Sequence, residues 1–301
     1  MAHSAYVILN PVAGQSDPEQ IKGLLERSRS EGHLNYDLYE TTGEEDLQAF
    51  VQKALQKDYD LVLACGGDGT VSSVVDGLAN SDVPLGILPT GSTNSFATAL
   101  GIPGNLKDAL ALIYSDQRVM VVDAIKWHER FFILEASLGI FSVSFEDVDR
   151  KKKDRLGWLA YVDSTIRNWA ALDLINVRLV VDGVRYSFRA SEVALFNTSQ
   201  VGIIDEDLDA DILLNDGALD LYVFYTKSLM DLLLIFLYRL VGKPKKAPQI
   251  RHWRVREHVQ IESNPVVSFQ ADGDIQGDTP AYFEVAPGVL QVIVPKSRVR
   301  S

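Results

Sequence analysis

Apolar and polar positions follow two different rhythms along this chain. Through the first 125 residues or so, short apolar runs at 6–9, 36–40, 61–64 and 85–88 predict strands. Between them, apolar residues recur every three or four positions. Leu47, Phe50, Val51, Ala54 and Leu55 fall on one helix face and predict a helix over 46–55, with others over 21–29, 70–78 and 106–113. Strand and helix in alternation predict a parallel sheet covered by helices on both faces.

After Asp123 the rhythm changes. Segments 131–134, 177–181, 185–189, 193–196, 219–224, 259–261, 266–270 and 290–294 read as strands, with turn signals at Asp182-Gly183 and Asn264-Pro265. Helical periodicity interrupts them at 156–172 and 228–241. The expected architecture is an α/β domain with a parallel sheet over 1–124, then a mostly antiparallel β-sandwich over 125–295. The last residues, 296–301, are expected to return to the first domain.

Composition narrows the function. With 301 residues, 47% of them hydrophobic, the chain can build two cores. A net charge of -12 argues against broad nucleic-acid binding, which needs a basic surface. The single cysteine, Cys65, allows no internal disulfide and fits a reducing cytoplasm. The first residues, MAHSAYVILNPVAG, lack the basic and apolar regions of a secretory signal. The longest apolar run, 229–241, is broken by Asp231 and Arg239 and is too short to span a bilayer. A cytoplasmic protein, at most peripheral to a membrane, is expected.

Two loops carry candidate chemistry. In LVLACGGDGT (61–70) a strand, a glycine turn and a helix start follow one another, and N–H groups at a helix start favour an anion. Asp68 would repel a phosphate there unless a cation such as Mg²⁺ lay between; the plainer reading is a Gly-Asp-Gly turn that caps its helix. In LPTGSTNSFA (88–97), Gly91, Ser92, Thr93 and Asn94 again follow a strand and offer donors to phosphate oxygens, or simply form a polar loop. Open α/β sheets bind ligands beyond the C-terminal ends of their strands, so two such loops mean more than either alone. Neither is a Walker A loop or a dinucleotide-binding fingerprint.

At these residues the sequence resembles the diacylglycerol kinase catalytic-domain family, which includes soluble bacterial lipid kinases, sphingosine kinases and ceramide kinases. Asn10-Pro11-Val12-Ala13-Gly14 looks like that family's opening loop, Thr41-Thr42 its next nucleotide-side motif, and Gly66-Gly67-Asp68-Gly69-Thr70 its glycine signature. Pro89 to Ala97 resembles the following loop, with Ser92 and Ser95 replacing Thr and Asp. Leu138-Gly139, Arg155-Leu156-Gly157, Tyr161, the segment from Asn215 to Asp220, Asp272-Gly273-Asp274 and Thr279-Pro280 extend the likeness through the second half.

The resemblance implies a first domain like those of NAD kinases and phosphofructokinases, and transfer of the ATP γ-phosphate to a lipid hydroxyl in an interdomain cleft. Asn10, Pro11, Gly14, Thr42, the Gly66 to Thr70 loop and the Gly91 to Asn94 loop would hold ATP. Asp68, Asp123 and Asp216 would join an Asp–water–Mg²⁺ network. Asp216 with the Leu219 carbonyl would anchor a structural metal, and Asp272 and Asp274 would stand at the catalytic-base end. Asp274 replaces a longer Glu in the family pattern. An NAD kinase-like enzyme, or a nucleotide-binding regulatory protein with impaired catalysis, are the alternatives.

Weaker features stand apart. The acidic run Asp205 to Asp211 lacks the Gly and Glu of a calcium loop and reads as a solvated loop, and the 5 histidines share no metal-ligand spacing. Basic residues cluster at 150–155 and again at Lys243, Lys245, Lys246, Arg251, Arg254 and Arg256. They fit either docking on an anionic membrane or plain solvation. A homodimer is compatible with the sequence.

Overall fold

The computed structural model describes residues 2–14, 17–43, 45–115, 117–139, 174–198, 213–240 and 246–296. They form two compact units: residues 1–124, 130–133 and 286–301, and residues 125–129 and 134–285.

In the first unit, β1 (His3–Leu9), β2 (Leu34–Glu40), β3 (Leu61–Gly66) and β4 (Leu85–Pro89) form a parallel sheet in the order β2-β1-β3-β4. The helices α1 (Pro18–Ser30), α2 (Leu47–Ala54), α3 (Asp68–Leu78), α4 (Ser95–Ala99) and α5 (Leu106–Leu112) connect or follow the strands. All of β3 is buried, as a strand covered on both faces requires. Short polar residues stop and start the helices. Asp17 caps α1 at Glu19 N (2.9 Å) with Pro18 in the first turn, Asp46 caps α2 at Ala49 N (3.2 Å), and Asn105 caps α5 at Lys107 N (2.9 Å).

Two strands pass from one unit to the other: β5 (Gln117–Trp127) and β16 (Ala281–Pro295). The C-terminal part of β16 pairs in parallel with β4, Val292 opposite Leu85. The chain therefore returns to the first unit at Ala286, ten residues before the expected 296, because this strand extends the parallel sheet. The short strand β6 (Arg130–Phe132) also belongs here. Buried Asp76 on α3 accepts hydrogen bonds from Phe131 N (2.8 Å) and from the Arg130 guanidinium.

The second unit is antiparallel. One sheet runs in the order β12-β11-β10-β7-β14-β15, comprising β7 (Glu135–Gly139), β10 (Glu192–Phe196), β11 (Leu219–Phe224), β12 (Ile250–Val255), β14 (Ser268–Ala271) and β15 (Asp274–Asp278). The other joins the start of β16 to β13 (His258–Asn264), β8 (Ile175–Val181) and β9 (Val184–Ala190). Phe269 meets Phe283 edge to face at 5.2 Å and Trp127 at 5.1 Å, closing one sheet over the other as a sandwich. Helix α6 (Leu229–Leu240) packs Ile235 and Tyr238 on Ala194, Phe196, Tyr222 and Phe224. Its start is a reciprocal cap: Ser228 Oγ accepts from Asp231 N (3.3 Å), and Asp231 Oδ2 accepts from Ser228 N (3.0 Å). No helix among the described residues is long and apolar enough to cross a membrane.

Several strands escape the hydrophobic pattern. β12 alternates Arg251, His252, Trp253 and Arg254 between two buried ends, and β15 (DIQGD) has almost no strand propensity. Hairpin pairing with β14 forms β15. The expected strand at 131–134 is cut short: β6 ends at Phe132 and β7 begins at Glu135, because the chain leaves the first unit after residue 133. The expected helix over 156–172, the basic run 150–155, the Arg155-Leu156-Gly157 and Tyr161 motifs and the acidic run 205–211 lie outside the described residues.

Candidate active site

The strand order of the first unit contains its own pointer. From β1 the chain crosses to β2 on one side, then returns past β1 to β3 and β4 on the other. Loops leaving the C-terminal ends of β1 and β3 therefore diverge, and open α/β sheets bind ligands in the crevice so formed. The loops there are the ones singled out in the sequence.

Asn10 follows β1 and reaches both ways. Its Oδ1 accepts from Val12 N (3.1 Å), closing its own loop, and its Nδ2 donates to Thr70 Oγ1 (3.0 Å) on α3. The glycines are required by proximity. Gly14 has φ +67°, and a Cβ there would lie 1.6 Å from Thr90 O. A Cβ on Gly91 would lie 2.6 Å from Gly67 Cα. Three loops are thus pressed together backbone to backbone, which only glycine permits.

Helix α3 begins at this junction with Gly67 as its N-cap and no side-chain cap, so its first N–H groups remain available to an anion. Asp68 does not cap its own helix. Its Oδ1 accepts from Phe96 N (3.2 Å) and its Oδ2 from Thr93 Oγ1 (3.0 Å), so it supplies the cap that α4 lacks and ties two loops together. Each oxygen keeps a lone pair, which fits a water on a hydrated Mg²⁺. Asn94 closes the second loop through Gly91 N and Gly91 O, both at 2.8 Å.

After β2, the N–H groups of Thr42 (2.7 Å) and Gly43 (3.0 Å) donate to the Glu45 carboxylate, and the Thr42 N–H foremost holds that acid down to about 2. Among the described residues no side-chain hydrogen bond accounts for Pro11 or Ser92, and a Cβ on Gly69 would meet nothing within 4 Å. Cys65 is buried, and burial pushes its thiol well above the ordinary range, which makes it a core residue. Asp123, also buried, accepts from Gly288 N (2.8 Å) and joins β5 to β16.

The second-unit candidates emerge from one end of one sheet. In its register, Glu135, Phe196, Asp220 and Arg254 stand in a row across β7, β10, β11 and β12. Asp272 and Asp274 follow β14 at that end, and Asp216 precedes β11 there. Asp216 Oδ1 accepts from Ala218 N (3.2 Å), and the carboxylate pairs with the Arg254 guanidinium. A metal held by Asp216 and the Leu219 carbonyl would first have to displace that cation. Within either unit, among the described residues, no group of three or more His, Cys, Asp or Glu side chains is placed to hold a metal.

Asp272 (φ +48°) and Gly273 (φ +92°) make the β14–β15 turn. Asp272 Oδ1 accepts from Leu134 N (2.9 Å) and Glu135 N (3.1 Å), so this carboxylate is committed to the backbone. Asp274 is exposed and has no side-chain partner among the described residues. Sequence reasoning missed Glu135 and Gln270. The signal was there, since each is a polar residue inside an apolar strand run, FFILEASLG and VVSFQA. Of the basic cluster, Arg254 is taken by Asp216, and Arg251 lies over Phe188 and Tyr225 at 5.1 and 5.6 Å.

Known proteins resemble this chain over most of its length. Residues 4–127 match the diacylglycerol kinase catalytic domain, and residues 136–294 match the YegS C-terminal NAD kinase beta sandwich-like domain. The chain belongs to the diacylglycerol kinase catalytic-domain family of lipid kinases, in its two-domain form. It is 29% identical to "Putative lipid kinase SAB0675c" of Staphylococcus aureus, covering 87% of this chain and 86% of that one. It is 27% identical to "Uncharacterized protein sll0036" of Synechocystis, over 97% of this chain and 70% of the other. A crystal structure of "a putative diacylglycerol kinase" from Bacillus anthracis superimposes with a TM-score of 0.82 at 26% identity, covering 97% of each chain.

Proposed function

We propose that the protein transfers the γ-phosphate of ATP to a hydroxyl of diacylglycerol or a related lipid. The observation that carries this reading is the three-loop junction at the switch point, with the uncapped N–H groups of α3 at its centre. Such a junction suits phosphates, which need close backbone donors more than they need side-chain chemistry. Asn10 and Asp68 hold the loops in register, so the donors are in place before ATP arrives. Mg²⁺, bound with the nucleotide near Asp68, would offset phosphate charge during transfer.

The reading also needs a proton acceptor for the lipid hydroxyl, and the second unit supplies the candidate. Of the two turn carboxylates, Asp272 is occupied by backbone N–H groups, whereas Asp274 is exposed and unpartnered among the described residues. Asp274 is therefore assigned as the base and Asp272 as the residue that holds its turn.

The test is incubation of purified protein with Mg²⁺, γ-labelled ATP and diacylglycerol or sphingoid bases in mixed micelles. Labelled lipid that disappears in Asp274→Asn supports the assignment. Labelled NAD in place of lipid would move the protein to the NAD kinases, and ATP binding without any transfer would make it a regulatory nucleotide binder.

A further inference from the structure

The turn that presents Asp274 is anchored by a partly buried side-chain network that the family likeness did not point to. Gln270, two residues before the turn, is fully buried. Its Nε2 donates to Glu135 Oε1 (2.8 Å) and to Ser137 Oγ (2.7 Å), and its Oε1 accepts from Gly273 N (2.8 Å) at the centre of the turn. Asp272 N donates to Glu135 O (3.0 Å), and Glu135 N donates back to Asp272 Oδ1 (3.1 Å). Glu135 thus touches the turn through its backbone and, by way of one amide, through its side chain.

We propose that Glu135 is a positioning residue for the lipid-kinase reaction: through Gln270 it sets the conformation of the Asp272-Gly273-Asp274 turn and hence the place of Asp274. This rests on the function proposed above.

If position 135 only filled space, a hydrophobic residue would sit in the strand at lower cost. The buried amide of Gln270 needs an acceptor at this point, and losing it would strand a donor. Burial, foremost, and the nearby Asp272 charge push the Glu135 carboxyl up to about 7, against the hydrogen bond from Gln270. Among the described residues, the charged group that acts on it is Asp272 on the turn, and Asp220, paired with His252, stands two strands away in the same row, beyond Phe196 on β10. From β14 it meets the neutral Gln270.

A folded-state value above the ordinary one means that the stability Glu135 contributes is fully present below its unfolded value and is lost as pH rises through about 7, even though ionisation by itself strengthens the hydrogen bond from Gln270. Above that point two negative charges, Glu135 and Asp272, face each other at the base of the turn. The Asp272 carboxylate, which ties the turn to Leu134 N and Glu135 N, is then opposed by a like charge, and the place of Asp274 shifts with it.

The experiment combines kinetics, with diacylglycerol in detergent micelles as acceptor, and NMR of the Gly273 amide across pH. In the wild type the Gly273 resonance is expected to titrate with a midpoint near about 7, matching a fall in kcat with rising pH. Glu135→Gln keeps an acceptor but cannot ionise, so both the titration and that limb of the kcat profile should vanish. Glu135→Ala removes the acceptor and should lower kcat about 10–100-fold with KM for ATP unchanged. An unaltered Gly273 titration in Glu135→Gln, or an unaltered kcat in Glu135→Ala, overturns the proposal. If Glu135→Ala does not fold, Ser137→Ala, which removes the other acceptor of the same amide, takes its place: a smaller fall in kcat with KM for ATP unchanged is expected, and no change overturns. Should the wild type label no lipid at all, a Gly273 titration abolished in Glu135→Gln would keep the positioning role while the proposed reaction falls.

Discussion

At the scale of single residues, the same amino acid does opposite work depending on what its carboxylate meets. Asp272 and Asp274 are two positions apart, yet among the described residues the carboxylate of one binds two backbone N–H groups and that of the other none. Asp274→Asn should lower kcat by about 10²–10⁴-fold while melting temperature and KM for ATP hold steady. Asp272→Ala should instead lower stability by about 1–3 kcal/mol, because two partly buried donors lose their acceptor; paired thermal denaturation and kinetics separate the cases. Asp68 lies between these extremes. Its motif was legible in the sequence, along with a reading in which it caps its own helix, but the cap goes to α4, 28 residues later. No local pattern announces a partner at that distance.

At the scale of elements, turns and caps were legible because their chemistry is local. Asp182-Gly183 reads as a hairpin turn and is one, with φ of 45° and 81° between β8 and β9. Its carboxylate also spans to the neighbouring hairpin. Although burial opposes the charge, the N–H groups of Arg256, Glu257 and His258 hold Asp182 below the usual range. A depressed carboxylate contributes stability above its unfolded pKa and loses it as pH falls through the folded one. Asp182→Ala should therefore cost about 1–2 kcal/mol at neutral pH, and the gap to wild type should close as the solution becomes acid. Denaturant titrations at pH 7 and near pH 3 read this directly. β12 and β15 were not legible for the converse reason: their strand character comes from the strands beside them.

At the scale of the whole molecule, the first unit is a nucleotide platform in this reading, and binding should report on it. ATP at about 100 times its Kd stabilises a protein by roughly 2.7 kcal/mol if the unfolded chain does not bind. A thermal shift with Mg²⁺-ATP is expected in the wild type. It should shrink in Gly91→Ala, where the new methyl meets Gly67 Cα at 2.6 Å and pushes two loops apart. An undiminished shift would remove the loop junction from the nucleotide site.

Hydrophobic periodicity by itself determined the alternation of strands and helices, the change of architecture after Asp123, and which loops follow which strands, because those properties depend on neighbours a few positions away. Strand order, and with it the switch point, was decided by tertiary structure: β1 pairs with both β2 and β3 although 20 residues separate β3 from β2. Tertiary structure likewise decided which carboxylates are occupied. A carboxylate's partners are set by packing, and those of Asp68, Asp182 and Asp272 lie 28, 74 and 138 positions away. Burial made Glu135 an unusual acid for the same reason, since solvent is excluded by the fold as a whole and not by the residues on either side.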